Sequence, residues 1–376
     1  MRYGCVWFDK YGDEAWASVA GSEPGRIRGV HELPSDVLWI TNLDWNKIKD
    51  KGLLGHPQFR QNNFFRATMH SIAADLGLDN DGDVLERVRC ISEIMHNVCT
   101  ICEETYGITS FENNIGHTIR QHLLADGDLR SYGSAQVDHA LTGAFQGNQK
   151  CMTQTSKEDR LKNYIFTYPR VEYAQHMLGF GVPDGAWKKI PLPEDPITYV
   201  KENWFMKPML CKIVIKKMHD QIPSIVMPFG FDFGKSATQR AWACSPEVVH
   251  LLEYADLNIM TIFQATGYRS LELKIPALDG MLDRITYSHG IVHEATWKAL
   301  ATKGTPRGAW YTAWDRINMS KTAIAIAEAG FNVTWYGSGS VGVAIHTSQY
   351  KDFLKLAIGE LGLVPPLNYM THMGTL

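Results

Sequence analysis

Apolar residues recur at Val84, Leu85, Val88, Ile91, Ile94, Met95, Val98, Ile101 and Cys102, the three-and-four spacing of one helical face. This predicts a core-facing helix from about Val84 to Tyr106, opened by the capping-box spacing of Asp83 and Glu86 and closed by Gly107. Ahead of it, Gly4 to Phe8 and Ala15 to Val19 read as strands around the turn Tyr11 to Glu14, and Val37 to Ile40 reads as a buried third strand. From about Asn163 the pattern turns to strands, with Met209 to Lys217 alternating. Ser245-Pro246-Glu247 then opens a helix running to Tyr254, with serine as N-cap and proline at the first helical position. A helix from about Tyr311 to Ala329, stopped by Gly330, leads into two β-prone runs, Asn332 to Tyr336 and Val343 to His346. The glycine-rich turn Gly337-Ser338-Gly339-Ser340-Val341 between them predicts a β-hairpin. No internal repeat is visible.

Composition narrows the classes. The chain has 376 residues, 45% hydrophobic and 20% charged, as expected of a folded chain of two domains or subdomains. Its 37 Lys+Arg against 40 Asp+Glu give a net charge of -3, so a nucleic-acid interface has to be local rather than a global positive field. The N-terminus lacks the apolar core of a signal peptide and no run is long enough to span a bilayer, so the expected setting is intracellular, in the cytoplasm, with no membrane partner. Seven irregularly spaced cysteines suit reduced thiols.

Several familiar motifs fail on context. Gly337-x-Gly339-x-x-Gly342 is followed by a strand, whereas a dinucleotide site needs a helix N-terminus there. Asp232-Phe233-Gly234 precedes that loop and no His-Arg-Asp segment accompanies it, so a kinase is excluded by order. Cys99 and Cys102 lie on the predicted helix without a second pair of ligands, which favours core cysteines over a metal site. The histidines show no HExxH spacing. No metal ligand set and no cofactor is assigned.

What holds together is the order of several signals over the second half of the chain. Phe145-Gln146-Gly147-Asn148 is followed by Asn163-Tyr164-Ile165-Phe166-Thr167-Tyr168-Pro169 and Pro183-Asp184-Gly185. The strand Leu210 to Lys217, Ser245-Pro246-Glu247-Val248, Lys298 to Gly304, Thr312-Ala313-Trp314-Asp315-Arg316 and the hairpin turn then succeed one another. This series resembles the palm region of family B DNA polymerases, especially the protein-primed branch. The resemblance implies an α+β fold: a palm-like antiparallel sheet with helices, preceded by a small mixed α/β domain of degenerate exonuclease type. The division implied is 1–139 for the N-terminal domain, helix-rich in its second half, and 140–376 for a palm and fingers with a truncated thumb.

The departures carry as much as the matches. In the family, an Asp-x-x-Ser-Leu-Tyr-Pro strand and an Asp-Thr-Asp turn hold two divalent cations, and the alignment puts Asn163, Gly337 and Gly339 at the acidic positions. Neither glycine nor a neutral amide can hold such a pair of ions. The reading is therefore a polymerase-like pseudoenzyme of phage or plasmid type, binding DNA, single-stranded or duplex, or a replication or virion protein. Implied contacts to nucleic acid are Phe145, Gly147, Asn148, Tyr168, Lys298, Lys303, Arg307 and Arg316, with Trp310 and Tyr311 as further stacking surfaces. Two alternatives stay open: a DNA- or nucleotide-modifying enzyme in the repurposed cleft, with His289, His293 and Glu294 as nearest candidates, and a structural or partner-binding subunit.

Overall fold

The computed structural model describes residues 2–9, 14–52, 69–70, 72–74, 76, 78, 84–109, 115–125, 134–145, 149–150, 161–219, 239–270 and 284–364. They fall into two compact units, residues 1–125 with 273–296, and 126–272 with 297–376.

The first unit is built on strands β1 (Arg2–Phe8), β2 (Ala15–Val19), β3 (Gly25–Ile27) and β4 (Val37–Thr41), in the order β3-β2-β1-β4. β1 runs antiparallel to β2 and parallel to β4. A strand at the centre of a sheet covered on both faces is buried throughout, and Gly4 to Phe8 of β1 are. One face packs with Leu33, Leu43 and Ile48, the last on helix α1 (Trp45–Asp50), whose N-cap Asp44 accepts from Lys47 N at 3.0 Å. Helix α2 (Val84–Tyr106) lies against β1 and β2, with the bounds that its apolar periodicity predicts. Its expected cap Asp83 lies outside the described residues. Cys99 and Cys102 face the core, and burial pushes the Cys99 thiol up to about 12, the behaviour of an inert packing cysteine. Helix α3 (Ile115–Ala125) follows.

The second unit opens with helix α4 (Ala135–Ala144). Strands β5 (Gln149–Lys150) and β6 (Leu161–Thr167) lead to helix α5 (Arg170–Leu178), then β7 (Val182–Asp184), β8 (Lys188–Ile190) and helix α6 (Pro196–Asn203). β9 (Met209–Met218), β10 (Gln239–Cys244), helix α7 (Ser245–Leu251) and β11 (Ala255–Gln264) follow, then β12 (Gly267–Arg269). Helix α8 (Arg284–Leu300), whose residues up to Thr296 belong to the first unit, precedes helix α9 (Pro306–Glu328), the hairpin β13 (Asn332–Gly337) and β14 (Ser340–His346), and helix α10 (Tyr350–Leu354). Two four-stranded sheets result, β5-β13-β14-β6 and β10-β9-β11-β8, both antiparallel, besides the pair β12-β7. The fold is α+β, as expected. The 139/140 division expected from the sequence falls inside α4, which packs on β10. Ser245 is the first residue of α7 rather than its N-cap, and its Oγ accepts from Met209 N at 3.1 Å instead.

The start of α9 shows local sequence and packing acting together. Thr305 caps it, accepting from Gly308 N at 2.9 Å, and Pro306 occupies the first turn where its missing N–H costs nothing. A Cβ at Gly308 would sit 1.9 Å from the Thr302 carbonyl, so only glycine fits this closely packed bend.

Candidate nucleic-acid interface

The hairpin turn has only two central residues. Gly337 and Ser340 pair across the strands, and Ser338 and Gly339 between them have φ of 55° and 70°. Two consecutive positive φ values belong to a type I′ turn, whose twist matches that of the flanking strands and which selects small or glycine residues. β6 lies alongside β14, antiparallel, with Thr167 opposite Ser340 and Asn163 opposite Ala344. Tyr168 N continues the ladder by donating to Gly339 O at 2.9 Å.

The expected neighbourhood of strand and hairpin is therefore present, but its register corrects the place of Asn163. The residues that meet the turn are Thr167 and Tyr168. Asn163 is four residues farther along β6, about 13 Å at ~3.3 Å per residue, and exposed. The whole of Leu161 to Thr167 pairs with β14, and Tyr168 continues the ladder to the turn at Gly339.

An acid does sit at the turn, and the sequence comparison missed its role. Asp315, 6% exposed, projects from α9 beneath the hairpin. It accepts from Ser338 N at 2.5 Å, from Gly339 N at 2.8 Å and from the Tyr173 hydroxyl at 2.7 Å. Burial pushes the Asp315 carboxyl up, and the three donors oppose that shift. Burial, reinforced by the Asp315 charge, pushes the Tyr173 phenol far up, so Tyr173 stays a donor. Tyr168 stacks on Tyr173 with centroids 5.3 Å apart and rings 4° from parallel, and its hydroxyl lies 2.8 Å from Thr322 Oγ1. Trp297 meets Tyr173 edge-on at 5.5 Å, which sets the end of α8 beside this cluster.

A pair of divalent cations needs several converging carboxylates with lone pairs to give. The turn itself supplies glycine and serine, and Asp315 has both oxygens committed to the two turn amides and Tyr173. Among the described residues, those at the turn do not fit the ion pair that the polymerase resemblance implies.

The other expected residues divide sharply. Lys298, directly after Trp297, and Lys303 are exposed. Arg316 is not a surface cation: it is 4% exposed, and Nε and one terminal nitrogen donate to Glu247 Oε1 and Oε2 at 2.6 and 2.8 Å. It also donates to the Ala144 carbonyl at 3.0 Å, so one guanidinium joins α9, α7 and α4. Arg307 is likewise buried, at 2%. Trp310 and Tyr311 are fully buried core residues, and burial takes the Tyr311 phenol up to about 12. All four are among the residues that α9 buries, Arg316 on the side of the helix opposite Arg307, so α9 is covered nearly all round. Phe145 is half-buried at the end of α4, and Gly147 and Asn148 lie outside the described residues. His293 is 3% exposed, while His289 and Glu294 are half-buried, all on the part of α8 that belongs to the first unit. Among the described residues no helix is long and apolar enough to cross a membrane.

No family model and no curated protein matches the chain. Among solved structures it is similar to Phi29 DNA polymerase complexed with primer-template DNA and incoming nucleotide substrates, at 13% identity and a TM-score of 0.39, over 71% of this chain and 54% of that one. Phi29 DNA polymerase complexed with single-stranded DNA gives 12% identity and a TM-score of 0.40, over 70% and 52% of the two chains. The chain thus spans about half the length of these structures. At such values the likeness carries no argument by itself, and function has to be read from the geometry of the turn and its surroundings.

Proposed function

We propose that this chain is a DNA-polymerase-related protein that binds nucleic acid beside its palm-like sheet and does not transfer nucleotides. The observation that carries this reading is the hairpin turn. A strand ending in Tyr168-Pro169 runs beside a two-residue turn in the arrangement expected of a palm, yet the turn is tied down by Asp315 from behind and presents no acid of its own. Lys298 and Lys303 are assigned as phosphate contacts, because they are exposed and follow Trp297 at the end of the helix that packs on Tyr173. Tyr168, half-buried and stacked on Tyr173, is assigned as the surface for a base. No cofactor enters this reading.

The test has two parts on the full chain. Primer extension with Mg²⁺ or Mn²⁺ should give no product. Binding to labelled DNA should weaken as salt rises, and Lys298→Glu with Lys303→Glu should lower the slope of log affinity against log salt by about two units on duplex. Extension that is abolished by a substitution at the turn would overturn the inactive reading. Absence of DNA binding at low salt would overturn the nucleic-acid reading and leave a replication or virion protein as the partner.

A further inference from the structure

The sheet β10-β9-β11-β8 has two unlike faces. On one, Cys211, Ile213, Ile215, Leu257 and Ile259 form a core with Val200 of α6 and Val248 and Leu251 of α7. On the other, among the described residues, cover comes only at one end, where Gly143 of α4 lies against Trp242 and Trp242 packs on Phe263 at 5.6 Å. Alternation along the strands decides what the uncovered part shows. β9 turns Lys212, Val214 and Lys216 to this face, β10 turns Arg240 beside Val214, and β11 places Asn258 on the other side of Val214.

We propose that this open face is a second nucleic-acid site, one that holds a single strand by its phosphates. Lys212, Lys216 and Arg240 have no carboxylate partner among the described residues. Lys189, opposite Phe263 on β8, adds a fourth such cation. Asp256, near the end of β11, is already against His219 at 3.1 Å. Four such cations on one sheet face, in a chain of net charge -3, are a local segregation of positive charge that complements a polyanion. Their spacing fits one in extended form. Lys212, the row of Val214 and Arg240, and Lys216 follow at two-residue steps, about 6.6 Å each at ~3.3 Å per residue, along β9. Lys212 is held in place, its Nζ 5.9 Å from the centre of the Trp242 ring. Between the cations lie half-buried Val214 and Met260, which is 47% exposed at a register shift in β11, and these give the bases an apolar floor beside the Asn258 amide. The site is separate from Lys298 and Lys303, and the inference stands or falls without them.

The experiment is fluorescence anisotropy of labelled oligo(dT) with the full chain, wild type against Lys216→Glu with Arg240→Glu. Both side chains are exposed and lack partners among the described residues, so the variant should melt as the wild type does. Expected are an affinity at least tenfold lower at low salt, a salt slope lower by about 1.4 units, since each single-strand phosphate contact contributes ~0.7, and an intermediate effect of Lys216→Gln with Arg240→Gln. Photo-crosslinked thymine should appear on peptides from 209–217 or 239–244. Unchanged affinity and slope in the charge-reversed variant overturn the proposal. So does equal binding of polyglutamate, or loss of all binding on Lys298→Glu with Lys303→Glu while the sheet variant binds normally.

Discussion

Removing Glu247 isolates what the Arg316 guanidinium does. In Glu247→Gln the arginine remains 4% exposed and keeps the Ala144 carbonyl, but of its two bonds of 2.6 and 2.8 Å only one can go to the amide oxygen, and the other donor faces the amide NH2. A hydrogen bond to a charged group is worth roughly 1.5–3 kcal/mol and a buried donor left unpaired costs about 1–3 kcal/mol more, in line with the about 3–5 kcal/mol for breaking a buried pair by removing one partner. Arg316→Met should cost less. It leaves the Glu247 carboxyl in a site where burial already holds its pKa up, so it can take a proton. With the folded pKa above the unfolded one, that variant gains relative stability below the unfolded value and loses it as pH rises through the folded one. The double variant Glu247→Leu with Arg316→Met should be close to wild type, or more stable by about 1–4 kcal/mol. Urea unfolding followed by far-UV circular dichroism of Glu247→Leu, Arg316→Met and their double variant closes the cycle, and a coupling of about 3 kcal/mol is expected. Additive single effects, or a Glu247→Gln cost below about 1 kcal/mol, would refute the structural role. Arg316→Met that melts normally but loses DNA binding would return Arg316 to the interface.

Three further outcomes are expected. Asp315→Asn should cost roughly 1–3 kcal/mol, because an amide nitrogen now faces a turn N–H, and should speed hydrogen exchange at Ser338 and Gly339; unchanged exchange there would count against the clamp. His250, 8% exposed with Nε2 2.7 Å from Ser320 Oγ, has its pKa held down to about 4 by burial and by Lys321. Its contribution, roughly 3 kcal/mol, is complete above the unfolded pKa of about 6.5 and is lost as pH falls from there to about 4. Wild type should therefore lose more stability than His250→Gln over that window, and parallel curves would refute it. Gly308→Ala should cost about 3 kcal/mol or more, since the clash is with the Thr302 backbone, and an unshifted melting temperature would show that the bend can open.

Much of the local structure was legible because it is encoded locally. The Val84–Tyr106 helix and the strand Ala15–Val19 appear with their expected bounds, and the hairpin follows from two β-prone runs around small residues. Long-range choices were hidden. Whether Asn163 or Thr167 of β6 meets the turn depends on the register of its ladder with β14, which no spacing motif specifies. Arg316 was read as a surface cation because its partner, Glu247, stands 69 residues earlier. A signal was nonetheless present: position 316 falls on the helical stripe of Ala309, Ala313 and Ala323, where an arginine must find a buried acid. Asp315 was noticed only as part of a motif, since its task of receiving backbone amides leaves no side-chain pattern in the sequence.

The turn also decides what it would take to build an ion-binding centre at this place. Writing aspartates at Gly337 and Gly339 would place them at φ of 132° and 70°, where side chains other than glycine are strained, and a Cβ at Gly339 would lie 2.9 Å from the Tyr173 ring. Both new charges would also stand beside Asp315, already buried with its pKa raised. An acidic turn therefore demands a different loop, a smaller residue at 173 and a neutral one at 315, all at once. The backbone acts here as a ratchet: each single step toward an acidic turn is opposed by a conformation that suits the residues in place.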